Sequence, residues 1–404
     1  MRKTTMAVTV AALLNAGNAL AGPSVEQQIE VLQQEIEALK SQMAKAATGN
    51  QAGGIQALSD RTTIGGYGEL HYNNFGGGAT HKDEVDLHRF VLFFGHKFND
   101  LVSFKSELEV EHAISSKDDE GEVEVEQAYL DFHINDKLNA KAGLFLIPMG
   151  LLNETHEPPT FFGVERNEIE TRIIPSTWRE GGVGVYGEAL PGFNYQLNLT
   201  SGFNAAKFEK PQNGIRSTHQ EGQLAAAEDL SVSGALNYVG VPGLLLGGAF
   251  FTGNTGQGNS TIGDARLTLW DVHGRYHVGK LDVRALYARG HLDDAGKINT
   301  FLALPVNKGA PKEFFGWYTE AAYHVWQSGD MDFAPFVRYE KWDTHKEVPT
   351  GYTRNPAFEN SAWTVGANFW PHPSVVLKAD YQSFDKPDAD KGDKRFNMGV
   401  GYMF

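Results

Sequence analysis

The stretch Lys394-Arg395-Phe396-Asn397-Met398-Gly399-Val400-Gly401-Tyr402-Met403-Phe404 decides the fold. Phe396, Met398, Val400, Tyr402 and Phe404 share one parity, while Asn397, Gly399 and Gly401 share the other. Successive side chains of a strand point to opposite faces, so this segment has one bulky apolar face and one small or polar face. A soluble sandwich also alternates. Working outward, the same pattern returns with charge on it. Val102, Phe104, Ser106, Leu108 and Val110 alternate with Lys105, Glu107, Glu109 and Glu111. Trp270, Val272, Gly274, Tyr276 and Val278 alternate with Asp271, His273, Arg275 and His277. Four ionisable groups in a row, opposite bulky apolar residues, suit a wall with lipid on one side and water on the other.

Sixteen segments of this kind can be counted, near 62–73, 84–98, 101–112, 122–134, 138–146, 181–189, 193–202, 229–239, 243–253, 265–278, 280–291, 314–325, 332–343, 360–370, 373–384 and 394–404. An even number fits a closed bacterial barrel. Every second connection reads as a tight turn: Asn99-Asp100, Asn135-Asp136, Pro191-Gly192, Pro242-Gly243, Gly279-Lys280, Ser328-Gly329 and Pro371-His372-Pro373. The intervening ones are longer and more polar, including 74–83, 147–180, 203–228, 292–313 and 344–359. Short turns at one end and long loops at the other are expected of a membrane barrel, and a sandwich or propeller has no reason to produce them. The predicted fold is all-β: a sixteen-stranded antiparallel transmembrane barrel over 61–404. Aromatics near segment ends, at Phe93-Phe94, Phe314-Phe315-Trp317, Trp363 and Phe369-Trp370, are expected to form interfacial girdles.

Composition agrees. No stretch after Leu14 is apolar for the length a helical span needs. The 25 Phe, 14 Tyr, 7 Trp and 45 Gly suit strands that hide apolar residues at every second position. With no cysteine, disulfides and thiolate metal sites are excluded. A net charge of −15 argues against a nucleic-acid partner.

Three regions are expected ahead of the barrel. Arg2 and Lys3, the apolar run Met6 to Leu14, and Ala19-Leu20-Ala21 read as a signal peptide over 1–21. Val25, Ile29, Leu32, Ile36, Leu39 and Met43 fall on a heptad a/d pattern, predicting a coiled-coil oligomerisation helix over 22–45 that rests on Ile29, Leu32, Ile36 and Leu39. Ile at a and Leu at d favour two strands, although so few heptads are marginal alone, and a lone amphipathic helix is the alternative. Residues 46–60 hold Gly49, Gly53 and Gly54 without a period and read as a flexible linker.

Several chemical motifs dissolve on inspection. Gly182-Val183-Gly184-Val185-Tyr186-Gly187 matches a dinucleotide fingerprint but lies within a strand with no helix after it. His156-Glu157 begins like a zincin motif, but Pro158-Pro159 forbid the helix that would present a second histidine. No catalytic residue, metal site or cofactor is expected.

Taken together, these features resemble the trimeric sixteen-stranded bacterial porins, and more narrowly the phosphate-selective porin family. The resemblance spans 61–404 and is carried by Gly143-Leu144-Phe145-Leu146-Ile147-Pro148-Met149-Gly150, by Pro158-Pro159-Thr160-Phe161-Phe162, and by Ile173-Ile174-Pro175-Ser176-Thr177-Trp178-Arg179-Glu180-Gly181-Gly182. The terminal Phe404 is similar to the aromatic ending that outer-membrane assembly machinery reads. The resemblance implies a homotrimer in the bacterial outer membrane, in contact with lipid and lipopolysaccharide, with the coiled coil in the periplasm. It also implies that 147–180 folds into the barrel as a constriction. Arg166, Arg172 and Arg179 are then the candidate anion-attracting groups, opposed by Glu165, Glu168 and Glu170.

The expected function is passive diffusion of small hydrophilic solutes or ions, including anions such as phosphate or carboxylates. On strand parity the lumen bases are Arg89, Lys105, Lys141, Arg275, Arg284, Arg338, Lys378 and Arg395. The acids are Glu69, Glu107, Glu109, Glu111, Asp131, Glu188, Asp271, Asp282, Glu320, Glu340 and Asp380. That mixed wall, without a run of arginines, predicts a general or weakly selective pore. A structural or adhesive barrel and an outer-membrane hydrolase are the readings from other classes. Lumen-facing His71, His133, His273, His277 and His324 count against the hydrolase, since lipid would not reach them.

Overall fold

The computed structural model describes residues 61–76, 78–119, 121–388 and 392–404. The expected signal peptide, coiled-coil helix and linker lie outside the described residues. The strands are β1 (Thr62–Gly76), β2 (Glu84–Lys97), β3 (Val102–Glu111), β4 (Val123–Asn135), β5 (Leu138–Leu146), β6 (Arg179–Leu190), β7 (Phe193–Ser201), β8 (Leu230–Tyr238) and β9 (Leu244–Gly253). They continue as β10 (Leu267–Val278), β11 (Leu281–Leu292), β12 (Glu313–Tyr323), β13 (Trp326–Ser328), β14 (Met331–Glu347), β15 (Glu359–His372), β16 (Val375–Asp388) and β17 (Gly392–Met403). Each is antiparallel to its neighbours, and β12 and β13 both pair with β14, so they form one strand interrupted at His324 and Val325. Pairing of β1 with β17, from Tyr67 opposite Met403 to Gly76 opposite Lys394, closes the sheet into a sixteen-stranded barrel. Closure leaves no unpaired edge, the condition for a sheet to span lipid. None of the described helices is long and apolar enough to cross a membrane.

All seven expected tight turns lie at one end, and the long connections lie at the other. The strand bounds follow the alternation closely. The main departures are β14 and β16, which run on to Glu347 and Asp388.

The barrel is inverted relative to a soluble protein. Val272, Trp363 and Val365 are 54%, 55% and 56% exposed, while Glu109 and Glu340 are fully buried. A continuous apolar outer surface of this kind is a lipid-facing one. Outward aromatics form contact chains, among them Trp270 to Tyr287 to Phe315 and Trp317 to Tyr339 to Trp363. Phe314 and Trp370, expected in the girdles, instead turn inward. Phe314 is fully buried, and Trp370 donates from its indole nitrogen to Pro159 O at 3.2 Å. Adjacent aromatics on a strand face opposite sides, so only one of each pair can reach lipid.

Two bulges shift the parity of the wall. Glu69 and Leu70 oppose Arg89 and Leu87, which makes His88 the extra residue on β2. Glu107 and Leu108 oppose Gln127 and Val125, which makes Glu126 the extra residue on β4. A bulge re-aims side chains locally, and here it moves Glu124 onto the lumen face, against the parity that Asp131 sets further along the strand.

Candidate functional site: the inward loop and the cavity beside it

The connection from β5 to β6, residues 147–178, folds into the barrel. Its neck is closed by Asn153, whose amide donates to Ile147 O (2.7 Å) and Trp178 O (2.9 Å) and accepts from Trp178 N (2.8 Å). From there its backbone is tied to the opposite wall. Gly150 N donates to Asp271 (3.1 Å), Val164 N to Asp380 (2.6 Å) and Glu168 N to Glu340 (3.0 Å). Arg284 donates to Thr160 O (3.1 Å), Arg338 to Phe162 O (3.2 Å) and Asn368 to Phe161 O (3.0 Å). Buried backbone groups must find partners, and polar wall residues supply them.

An apolar face adds a second attachment. Ile147, Met149, Ile169, Ile173, Ile174 and Trp178 join one buried cluster with Phe251, Leu267, Leu269, Leu286, Phe314 and Trp342 of the wall. Phe203, from the connection between β7 and β8, completes it. Trp178 lies 4.9 Å from the Phe203 ring and 4.6 Å from the Phe251 ring. A short helix, α1 (Ile169–Arg172), sits directly on Gly316 of β12, where an added Cβ would come within 2.8 Å of Ile169 Cδ1.

The lumen-wall residues therefore divide into two groups. Asp271, Arg284 and Arg338 do face inward, as parity requires, yet they are covered and spent on holding the loop. Lys378 is likewise covered, with its ammonium 3.5 Å from the Phe161 ring. Glu109 is fully buried, and Glu107 accepts from Gln127 at 2.7 Å. Only Lys105, paired with Asp131 (2.8 Å), and Arg275, paired with Asp282 (2.7 Å), keep their charged ends substantially open.

The candidates within the loop also separate. Glu170 is buried away from any channel and its carboxylate accepts from Leu151 N (2.5 Å), Leu152 N (2.7 Å), Asn167 Nδ2 (2.8 Å) and the Tyr318 hydroxyl (3.0 Å). Burial pushes its carboxyl above the usual range against those donors. It is an internal anchor rather than part of a constriction. Arg179 is the first residue of β6, bound to Glu124 (2.5 Å) and Glu221 (3.4 Å), and is likewise outside the cavity.

Arg166, Arg172, Glu165 and Glu168 meet at a cavity of about 530 Å³ between the loop and β1, β2 and β17. Its permanent cations are Arg89, Arg166, Arg172, Lys210, Arg216 and Arg395, and its carboxylates are Glu69, Glu111, Glu165 and Glu168. His71 and His88 complete the ionisable lining. Most of these charges are committed to one another. Arg89 binds Glu69 (2.9 Å), Arg172 binds Glu168, and Arg395 lies 3.8 Å from Glu168. Glu165 accepts from Asn73 (2.9 Å) and lies 3.2 Å from His71 Nδ1. Burial alone would raise its carboxyl, but His71 outweighs burial and holds it well below the usual carboxylate range.

Arg166 and Arg216 are different. Arg166 donates to Ser176 Oγ (2.6 Å), and Arg216 donates to Ser176 O (3.3 Å). Neither has an ion-paired carboxylate among the described residues. Arg166 Nε and Nη2 are shut from solvent without a hydrogen-bond partner. Burial, and Arg89 beside it, lower the Arg166 guanidinium below its ordinary value, and burial does the same to Arg216. Arginine stays charged even so, and an uncompensated buried cation is costly. An anion in the cavity would supply what these groups lack. Arg216 was not among the residues singled out from the sequence. It lies 50 positions beyond Arg166, on a different loop, and nothing in the sequence pairs them.

Comparison with known proteins fits this architecture. Salmonella typhi OmpF in complex with daunomycin has a TM-score of 0.57 at 12% identity, over 85% of this chain and 97% of that one. An anion-selective porin from Comamonas acidovorans has a TM-score of 0.53 at 11% identity, over 85% and 99%. These likenesses define the class, a transmembrane β-barrel of porin architecture. No family model matches the sequence. An uncharacterised protein of Aquifex aeolicus (strain VF5) is 33% identical over 369 residues, covering 89% of this chain and 84% of that protein, and the chain belongs to its family.

Proposed function

We propose that the protein is a passive pore of the bacterial outer membrane that admits small hydrophilic solutes and favours anions. The observation that carries this reading is the cavity beside the inward loop, with its surplus of fixed cations and the unpaired Arg166 and Arg216. The mixed lumen wall that predicts weak selectivity, eight bases against eleven acids, includes Asp271, Arg284, Arg338 and Lys378, which the loop covers. Beside the loop a solute meets the lining of the cavity instead, six fixed cations against four carboxylates. Guanidinium groups bind oxyanions in fixed, bidentate geometry, so inorganic oxyanions such as phosphate and small carboxylates are the proposed solutes. Field lines focused in a narrow polar passage raise the local anion concentration. No bond is made or broken.

In this reading the long loops are external, the N-terminal segment is periplasmic, and three chains associate, surrounded by lipid and lipopolysaccharide. Single-channel recording in a planar bilayer tests it, with stepwise conductance as the expected result. Its absence would leave a structural barrel as the better account. A native mass in detergent equal to one chain would remove the trimer.

A further inference from the structure

On the wall below Arg89, two neighbouring strands and the inward loop bring together four acids, Glu107, Glu109, Glu124 and Glu126, and among the described residues only Glu109 and Glu124 have an arginine against them. Glu109 and Glu126 are fully buried, and none of their four carboxylate oxygens has a hydrogen-bond partner. Glu126 is the bulged residue of β4, turned into the interior by the extra position. One ligand atom from each of Glu107, Glu126 and His156 lies within 4.8 Å of the others, and the same holds for Glu109, Glu124 and Glu126. In the second group Arg89 approaches Glu109 (3.5 Å) and Arg179 binds Glu124 (2.5 Å). In the first, among the described residues, no Lys or Arg reaches Glu107 or Glu126.

His156 supplies an observation independent of the acids. It is 3% exposed and belongs to the inward loop, not to either strand. Its Nδ1 lies 3.0 Å from Asn153 O, a carbonyl that can only accept, so the Nδ1 proton is fixed there. In the neutral imidazole that leaves a bare lone pair on Nε2. Nε2 is buried without a hydrogen-bond partner and lies 3.8 Å from Glu126 Oε2. A lone pair facing a carboxylate in a dry interior needs a positive charge between them. A carbonyl bound to the other ring nitrogen is also the usual second-shell arrangement of a metal-binding histidine.

We propose that Glu107, Glu126 and His156 hold a divalent transition-metal cation, Mn²⁺ or Zn²⁺, that pins the inward loop to β3 and β4. Carboxylate oxygens with one imidazole match the ligand preferences of these ions better than those of Ca²⁺ or Mg²⁺, which take oxygen alone. The ion neutralises the buried Glu126 and the half-buried Glu107, and links the loop to the wall at a point that the hydrogen bonds to β10 through β16 do not reach.

The test uses the full-length protein, purified in detergent, stripped with a chelator and dialysed against Mn²⁺ or Zn²⁺. Elemental analysis is expected to find about one ion per chain, and the ion should raise the unfolding temperature of the wild type, since it binds the folded state alone. Glu126→Gln should remove the ion. His156→Gln, a milder change, should weaken binding by about tenfold or more, while the exposed Asp100→Asn leaves it unchanged. Wild-type protein that retains no metal, and whose unfolding temperature neither ion nor chelator moves, would overturn the proposal and leave protons as the neutralising charge. Stoichiometric binding that survives Glu126→Gln would also overturn it.

Discussion

The two sides of the lumen, near the loop end, differ in kind. On β9 to β12, β14 and β15 the inward residues include Phe251, Leu267, Leu269, Leu286, Phe314, Trp342 and Ala362, an apolar wall. On β1 to β3 and β17 they include Glu69, His71, Arg89, Glu111 and Arg395. The inward loop matches both. Ile169, Ile173 and Trp178 bind it to the first wall, and Glu165, Arg166, Glu168 and Arg172 face the second. A barrel of this width can therefore be narrowed by building half a hydrophobic core inside it and leaving the other half charged. The apolar side sets how firmly the loop is held, and in the proposed pore the charged side sets what passes.

Breaking the apolar side should have the largest effect. Ile169→Asp combined with Ile173→Asp places two carboxylates in the buried cluster, each lacking a partner, at a cost of several kcal/mol per ion. The loop should leave the lumen while the barrel stays closed. Single-channel conductance should rise severalfold and the loop should become cleavable by protease, and unchanged conductance would contradict the comparison. Trp178→Ala is milder. It removes a large side chain from the same cluster and should cost about 3–5 kcal/mol, read as a lower temperature for loss of the heat-resistant folded band on gels.

A pH effect should be smaller still and confined to the connection between β7 and β8. Burial, with Arg216 and Arg179 nearby, pushes His219 down from about 6.5 to about 3. His219 is thus neutral when folded in the range where the unfolded segment takes up a proton. Stability is complete above about 6.5 and is lost as pH falls from there toward about 3. Hydrogen exchange in residues 202–229 should accelerate across that window, and His219→Gln should flatten the response. The smallest change is expected for Lys105→Ala. Its side chain is 54% exposed and its pairing with Asp131 is screened by solvent, so conductance and stability should barely move.

The walls were legible in the sequence because lipid and water impose a period of two on every strand. Phe396, Met398 and Val400 need no tertiary knowledge to be placed outward. The alternation of tight turns with long connections placed the loops together at one end of the barrel. What sequence reading missed depends on contacts that cross the lumen. Leu267 and Leu269 share the parity of Asp271 and His273, and only the loop packed against them explains why that face turns apolar. Glu124 and Glu126 escaped because a bulge reverses parity in the middle of β4. Arg216 could not be joined to Arg166 because two loops bring them together. Arg166, Arg172, Glu165 and Glu168 were reached through the length of the loop and the resemblance to porins. The same reasoning misplaced Glu170 and Arg179, because charge alone does not tell the two faces of a loop apart.

The division of the lumen is tested most directly by the reversal potential of single channels in a salt gradient, for the wild type and for Arg166→Ala combined with Arg216→Ala. The wild type should reverse on the anion-preferring side, and the double variant should move toward or past zero with its conductance retained. A wild type that prefers cations, or a preference unaltered by removing both arginines, would contradict the account.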